Sequence, residues 1–232
     1  MKLKKQDQLI CDYHLSEHAF YDEMMSHEMV IRPHWNSLIE HLRSLGCDRL
    51  KLNSHEARRI LRENGVTYNI YGESGDLNRP WELDPVPVLF NKEEWTNLEP
   101  ALIQRAELLN RILEDIYGPL EIIKKRLLPV ELIYDHGGFL RPCSGIKLNG
   151  RHQLFIYAVD VVRTTEGQMI VIEDRTQAPS GAGYALENRT VVKRIFPDLF
   201  RACKVYHLSF FSMPYGQGCM KYLRTKRIIQ GS

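Results

Sequence analysis

Three carboxylates close together in the sequence are the strongest candidates for chemistry. Two short β-branched runs, FIYAVDVV and MIVIED, flank Arg-Thr-Thr-Glu-Gly-Gln, a pattern that predicts a β-hairpin. Asp160 lies in the first arm, and Glu173 and Asp174 end the second. With simple pairing, Asp160 and Glu173 share one face near the open end, where two carboxylates can bind Mg²⁺ beside a phosphate. The alternative is that these acids are solvated or paired with Arg163, so spacing alone leaves their role open.

Arg175 follows Glu173 by two residues and therefore falls on the same side of an extended segment. Its guanidinium can neutralise phosphate charge through two hydrogen bonds, or it can form a salt bridge to Glu173. A strand acid followed about a dozen residues later by Glu-x-Arg also resembles metal-dependent nuclease cores, in which Glu-x-Lys holds the metal and water. Arg is a poor base, which disfavours the nuclease alternative.

The segment after the hairpin predicts an anion site. Ser180 and Gly181 open a predicted helix, and free backbone N–H groups at a helix start suit a phosphate or a carboxylate. Ordinary helix capping explains the same residues, because an isolated Gly-x-Gly is weak evidence. Asn188 and Arg189 fall one to two turns into this helix, from where they reach into a cleft or face water.

Apolar periodicity predicts the elements that position these side chains. Helices are expected over 33–45, 53–64, 91–117, 120–128 and 180–197, and strands over 66–70 and 131–134 in addition to the hairpin. The order, rich in helices first and mixed afterwards, predicts an α/β or α+β fold.

Composition restricts the class of protein. The chain has 232 residues, with 31 Lys and Arg against 29 Asp and Glu, so a broad nucleic-acid surface is not expected. Five scattered cysteines without C-x-x-C spacing predict free thiols in a reducing compartment. The sequence has neither an apolar run of about 18 residues nor a signal-peptide core, which favours a cytoplasmic protein without a membrane partner.

Two long segments resemble a known family. NGVTYNIYGESGDLNRPWELDPVPVLF and VDVVRTTEGQMIVIEDRTQAPSGAGYALENR are similar to circularly permuted ATP-grasp proteins, a bacterial group related to glutathionylspermidine synthase. The resemblance covers roughly residues 20 to 200. It implies ATP- and Mg²⁺-dependent ligation of a small-molecule carboxylate to an amine through an acyl phosphate, a reaction that depends on stabilising phosphate charge.

The resemblance also implies roles for individual residues. Asp160 and Glu173 match the metal-binding acids of the family, whereas Arg175 stands where the synthase-like ligases have a metal-binding Asn. Because Arg cannot ligate Mg²⁺, the metal shell departs from the family pattern here. The full set of candidates is Arg175 and Arg141 for catalysis, Ser180, Gly181, Asn188 and Arg189 for cofactor binding, and Asp160 and Glu173 for the metal.

The implied fold is the N-terminal portion of a circularly permuted ATP-grasp fold, with helices packed around a mixed sheet and a central β-hairpin. We expect a helical segment over 1–60, the ATP-grasp portion over 61–200 and an atypical, truncated tail over 201–232. Family members continue further, so the chain is expected to be inactive as a ligase alone. A non-catalytic remnant or interaction module is the alternative, and a nuclease is the third. An unfinished fold would leave apolar surface that a second copy could cover in a homo-oligomer.

Overall fold

The computed structural model describes residues 13, 20–68, 79–146, 152–177, 179, 181–206 and 208. The chain divides into two compact units, unit 1 with Met1–Leu89 and Ser180–Ser232, and unit 2 with Phe90–Pro179. The described residues are mostly helical and contain a two-stranded antiparallel sheet. In chain order the elements are α1 (Asn36–Leu45), α2 (Cys47–Glu63), α3 (Lys92–Ile116), α4 (Glu121–Lys124), α5 (Glu131–Tyr134), β1 (Ala158–Arg163), β2 (Met169–Arg175), α6 (Gly181–Ile195) and α7 (Pro197–Ala202).

Unit 1 is built around one apolar core. Helix α2 packs against α6, α6 against α7, and α7 against α1. Each helix contributes the apolar side of its surface, and the most deeply buried side chains include Leu38, Leu61, Val191 and Phe196. This core holds α6 in place, and α6 carries three of the predicted site residues.

The first two helices show one confirmed boundary and one that differs. Helix α1 ends at Gly46, as predicted, and the φ of 77° at this residue is favourable for glycine. The predicted helix start at Asn53 is wrong, because α2 already begins at Cys47. Asn53 is buried within α2, and its Nδ2 donates to the carbonyl oxygen of Ile195, the last residue of α6, at 3.0 Å, so it joins α2 to α6.

Unit 2 is organised along α3, which the apolar stripe predicts well. Asn91 caps this helix, its Oδ1 accepting from the Glu94 N–H at 2.7 Å. The buried Asn110 accepts from the N–H groups of Gln153 and Leu154 at 2.6 and 3.0 Å, which fixes the segment before β1. Unit 2 nonetheless leaves many large apolar side chains exposed, among them Ile103, Leu108, Leu132 and Phe155.

Three short predicted elements differ from the structure. Residues 131–134 form the helix α5 and not a strand, because Val130 is already helical and its carbonyl accepts from the N–H groups of Ile133 and Tyr134. The helix expected over 120–128 is reduced to the single turn α4. In the strand expected over 66–70, Thr67 forms one isolated bridge with Pro80, and residues 69 and 70 lie outside the described residues. Within the described ranges no helix is both long and apolar enough to cross a membrane.

Candidate functional site

The β-hairpin forms as predicted and places two acids directly opposite each other. Asp160 on β1 pairs with Glu173 on β2, so both side chains lie on one face of the hairpin. Gly167, at a φ of 87°, allows the chain to reverse direction, and its N–H donates to the Thr164 carbonyl at 2.9 Å. The hairpin prediction and the shared face of the acids are therefore confirmed.

A β-bulge interrupts the ladder next to the acids. Val161 pairs with Val171 and Asp160 with Glu173, so Ile172 is the extra residue on β2. Ile172 and Glu173 are both exposed, whereas Val171 and Asp174 on either side are half-buried. The bulge thus keeps Glu173 on the exposed face, beside Asp160.

Arg175 extends over the same face and binds both acids. Its Nη2 lies 2.6 Å from Asp160 Oδ2 and 2.9 Å from Glu173 Oε2, and its Nε lies 3.0 Å from Asp160 Oδ2. This hydrogen-bonded guanidinium lowers the pKa of the Asp160 carboxyl. Spacing left two roles open for Arg175, a contact to phosphate or a salt bridge to Glu173. In the structure its guanidinium forms salt bridges to both Glu173 and Asp160. Arg163, the other cation considered for these acids, pairs with Glu94 and donates to the Gly167 carbonyl at 2.8 Å.

The opposite face of the hairpin is tied to α3 by a network that sequence reasoning missed. Arg105 binds Asp174 through two hydrogen bonds of 2.7 and 2.6 Å, and the Tyr157 hydroxyl donates to the same carboxylate at 2.6 Å. Burial first, and then the bond to Asp174, raises the pKa of Tyr157 to about 12, while Arg105 lowers the pKa of Asp174. No local pattern links Arg105 to a partner 69 residues away. Asp174 thus anchors the hairpin, and Glu173 beside it faces outward.

Arg141, a catalytic candidate, lies on an aromatic cluster within unit 2. Its guanidinium carbon is 5.4 Å from the centre of the Tyr134 ring, which contacts the Phe139 ring edge to face. Phe139 in turn stacks on Tyr117. Arg141 forms no ion pair with a carboxylate of the described part of the chain. Its predicted role stays a prediction.

The remaining candidates with a described position, Gly181, Asn188 and Arg189, lie in unit 1 on α6. The helix begins at Gly181 as expected, and Ser180 lies outside the described residues. Asn188 Oδ1 accepts from Trp81 Nε1 at 2.8 Å, so this amide positions the indole. Arg189 donates to the Tyr206 carbonyl oxygen, and burial lowers the pKa of its guanidinium. Asn188 and Arg189 therefore face the body of unit 1.

The acid pair offers oxygen ligands of the kind that Mg²⁺ prefers. Two carboxylates do not fill the coordination shell of this ion, so further ligands must come from a substrate phosphate. Within the described ranges no group of three or more His, Cys, Asp or Glu residues could hold a metal ion. Arg175 already supplies a positive charge to both carboxylates. The donor set therefore fits Mg²⁺ only after the Arg175 side chain turns away.

Comparison with known proteins identifies the family. Residues 87–221 match the family described as circularly permuted ATP-grasp type 2. An uncharacterized protein of Mycobacterium tuberculosis is 37% identical over 193 residues, which cover 78% of this chain and 22% of the relative. An uncharacterized protein of Synechocystis is 36% identical over 186 residues, covering 80% of this chain and 39% of the relative.

A third relative, from Mycobacterium leprae and also uncharacterized, is 31% identical over 185 residues, covering 80% of this chain and 32% of the relative. The chain thus spans between about a fifth and two fifths of the length of these curated relatives. The match includes the hairpin with Asp160 and Glu173 and the helix α6. This chain belongs to the circularly permuted ATP-grasp type 2 family.

Proposed function

We propose that the chain is part of an ATP- and Mg²⁺-dependent carboxylate–amine ligase-like protein and that it does not turn over ATP by itself. The observation that carries the proposal is the cross-strand pair of Asp160 and Glu173 on the exposed face of the hairpin. Carboxylates directly opposite each other can bind one divalent cation together. A nucleotide requires such a cation to neutralise the charge of its phosphates.

In this proposal the hairpin of unit 2 supplies the residues that hold the metal. Asp160 and Glu173 would hold Mg²⁺, and the ATP that accompanies it supplies a phosphoryl group to activate a carboxylate substrate. Arg175 stabilises negative charge at the acid pair before nucleotide binds and can turn to a phosphate afterwards. Within unit 1, the N–H groups at the start of α6 are suited to an anionic group. For the second substrate we propose only its chemical class, an amine.

The surface of unit 2 supports the proposal that further polypeptide completes the site. Its described apolar side chains are largely exposed, including Ile103, Leu108 and Phe155, and the buried cluster of the chain belongs to unit 1. Such surface is normally covered by additional structure or by a partner. The matched region is 22% of the length of one curated relative and 39% of the length of another, which is consistent with a site completed outside it.

A second candidate function is a non-catalytic scaffold of the same family. Arg175 favours it, because its guanidinium binds both acids and occupies the position for which the resemblance implies a metal-binding Asn. Under this alternative the hairpin is a stable ion-paired surface, and neither Mg²⁺ nor ATP binds there.

Isothermal titration with Mg²⁺ and a non-hydrolysable ATP analogue separates the two candidates. The ligase-like function predicts binding by the wild-type chain that is lost in the double variant Asp160→Asn/Glu173→Gln. Arg105→Gln serves as the matched control, because it alters an ion pair on the opposite face of the same hairpin. Absence of binding, or equal binding by wild type and double variant, would reject the acid pair as the nucleotide-metal site.

A separate assay tests whether the chain is active alone. Purified chain with ATP and Mg²⁺ should release no phosphate above the level of the double variant. Turnover by the wild-type chain that disappears in Asp160→Asn/Glu173→Gln would show that this polypeptide already contains a complete site, contrary to the proposal.

A further inference from the structure

Unit 1 contains a cavity that the ligase-like function does not use. Its volume is about 330 Å³, and its walls are mostly aliphatic, with Leu38, Leu83, Leu89, Val192 and Leu199 among the lining residues. This volume lies at the small end of the range of about 300–1,000 Å³ that is typical of ligand pockets. The volume and the walls therefore favour a small ligand with an apolar chain.

One cation, Arg189, lines this mostly apolar cavity. Arg189 donates one hydrogen bond to the Tyr206 carbonyl, and its guanidinium lies 5.9 Å from the centre of the Phe200 ring. Neither partner carries a negative charge, and no carboxylate in the described part of the chain forms an ion pair with Arg189. A guanidinium has five N–H donors, so four remain for other acceptors.

The remaining charged group of the cavity is held by the backbone. Asp84 also lines the cavity, and its Oδ1 accepts from the Val86 N–H at 2.9 Å. The cavity thus combines mostly aliphatic walls with a partly buried guanidinium that forms no ion pair with a carboxylate of the described residues, Asp84 included. A planar carboxylate matches that guanidinium through two parallel hydrogen bonds.

We propose that this cavity binds an aliphatic monocarboxylate of medium chain length, with the carboxylate on Arg189 and the hydrocarbon chain against Leu38, Val192 and Leu199. The proposal is independent of the ligase-like function, since the site lies within unit 1 and needs neither ATP nor Mg²⁺. A phosphate would suit it less well, because a dianion would require more than one cation in an apolar cavity.

A cysteine in the cavity wall provides a direct readout. Cys203 lines the cavity, whereas Cys47 is exposed and does not line it. Octanoate should slow the alkylation of Cys203 by iodoacetamide and leave the alkylation of Cys47 unchanged. Peptide mass spectrometry measures the alkylation of each cysteine over time. Isothermal titration without ATP or Mg²⁺ gives the affinity in parallel, so failure here is separate from failure of nucleotide binding.

Variants test whether Arg189 recognises the carboxylate of the ligand. Arg189→Gln should weaken octanoate binding by roughly ten- to hundred-fold, the range for a lost hydrogen bond to a charged group. Arg201→Gln is the matched control, because Arg201 is exposed, pairs with Asp198 and does not line the cavity. If Arg189→Gln fails to fold, Arg189→Lys replaces it and should retain part of the affinity.

Four results would overturn the proposal. The first is that octanoate neither binds nor protects Cys203. The second is that octan-1-ol or octylamine protects Cys203 as well as octanoate does, which would assign the ligand to the walls alone or to Asp84. The third is unchanged octanoate affinity in Arg189→Gln. The fourth is protection of Cys203 that rises with protein concentration in the absence of octanoate, which would assign the cavity to a second copy of the chain.

Discussion

Replacement of Arg175 by Asn should convert the acid pair into a divalent-metal site. In the wild-type hairpin, Asp160, Glu173 and Arg175 together carry a formal charge of −1, from two negative groups and one positive group. Arg175→Asn changes this charge to −2 and adds an amide oxygen, a ligand type that Mg²⁺ accepts. Removing the guanidinium also raises the pKa of Asp160, since Arg175 is the main cause of its depression.

The size of the effect follows from the exposure of the cluster. The side chains of Arg175, Asp160 and Glu173 are 50%, 42% and 54% exposed, so their charges interact mainly through water. Removal of a positive charge about 4–5 Å from a divalent ion then corresponds to on the order of ten-fold tighter metal binding.

Mn²⁺ is a suitable probe, since the electron paramagnetic resonance signal of the free ion decreases on binding. Wild type, Arg175→Asn and Arg175→Asn/Asp160→Asn should be titrated side by side, and circular dichroism should verify that each is folded. The gain should appear in Arg175→Asn and be lost in the double variant.

Arg59 offers a matched charge control. It also binds two carboxylates, those of Glu56 and Glu63 on α2. Arg59→Asn produces the same change in charge, but the two glutamates lie seven residues apart on one helix and are not a directly opposed cross-strand pair, so this variant controls for charge. Equal Mn²⁺ affinity in wild type and Arg175→Asn, or an equal gain in Arg59→Asn, would refute the assignment of the hairpin acids.

Three further predictions concern stability and are measured by urea unfolding. Because the pKa of Tyr157 is raised from 10.0 to about 12, its stabilisation is complete below pH 10 and is lost as the pH rises towards 12. Over this pH interval the free energy of unfolding should fall less in Tyr157→Phe than in wild type, because the variant has no hydroxyl to titrate. An equal fall in the two proteins would contradict the network with Asp174. Asn110→Ala should cost about 1–3 kcal/mol by leaving backbone N–H groups without an acceptor, and Asn110→Asp, which keeps the acceptor, should cost less. Leu38→Ala should cost about 2–5 kcal/mol, whereas exposed Leu52→Ala should stay within about 0.5 kcal/mol, so similar costs would refute the assigned core.

The elements that sequence predicts well are those whose signal is local. The hairpin follows from two β-branched runs and a glycine-containing turn, and α3 follows from a long apolar stripe with Asn91 as its cap. The opposition of Asp160 and Glu173 depends in addition on the bulge at Ile172, because regular pairing continued from Arg163 and Met169 would place Asp160 opposite Ile172. The local pattern also placed Arg175 on the side of the acids.

The incorrect predictions have contacts that are distant in sequence or signals that are too short. Asn53 has the residue type of a helix cap, but its hydrogen-bond partner, the Ile195 carbonyl, lies 142 residues away. Residues 131–134 form an apolar run too short to distinguish a strand from one helical turn. The cavity at Arg189 combines segments from both ends of unit 1, so no sequence window contains it.

The bulge at Ile172 determines which face of the hairpin each side chain of β2 occupies. It thereby allows β2 to become one residue shorter. In a regular ladder, the residue two positions before Asp174 would share its face, but the extra residue places Ile172 and Glu173 outward in succession. Deletion of Ile172 would restore regular pairing while leaving Glu173 opposite Asp160 and Asp174 towards Arg105. Deletion of Val171 would remove a half-buried side chain unless Ile172 moved into its place. The hairpin should therefore tolerate a one-residue deletion at this position, an uncommon property for a strand that carries candidate site residues.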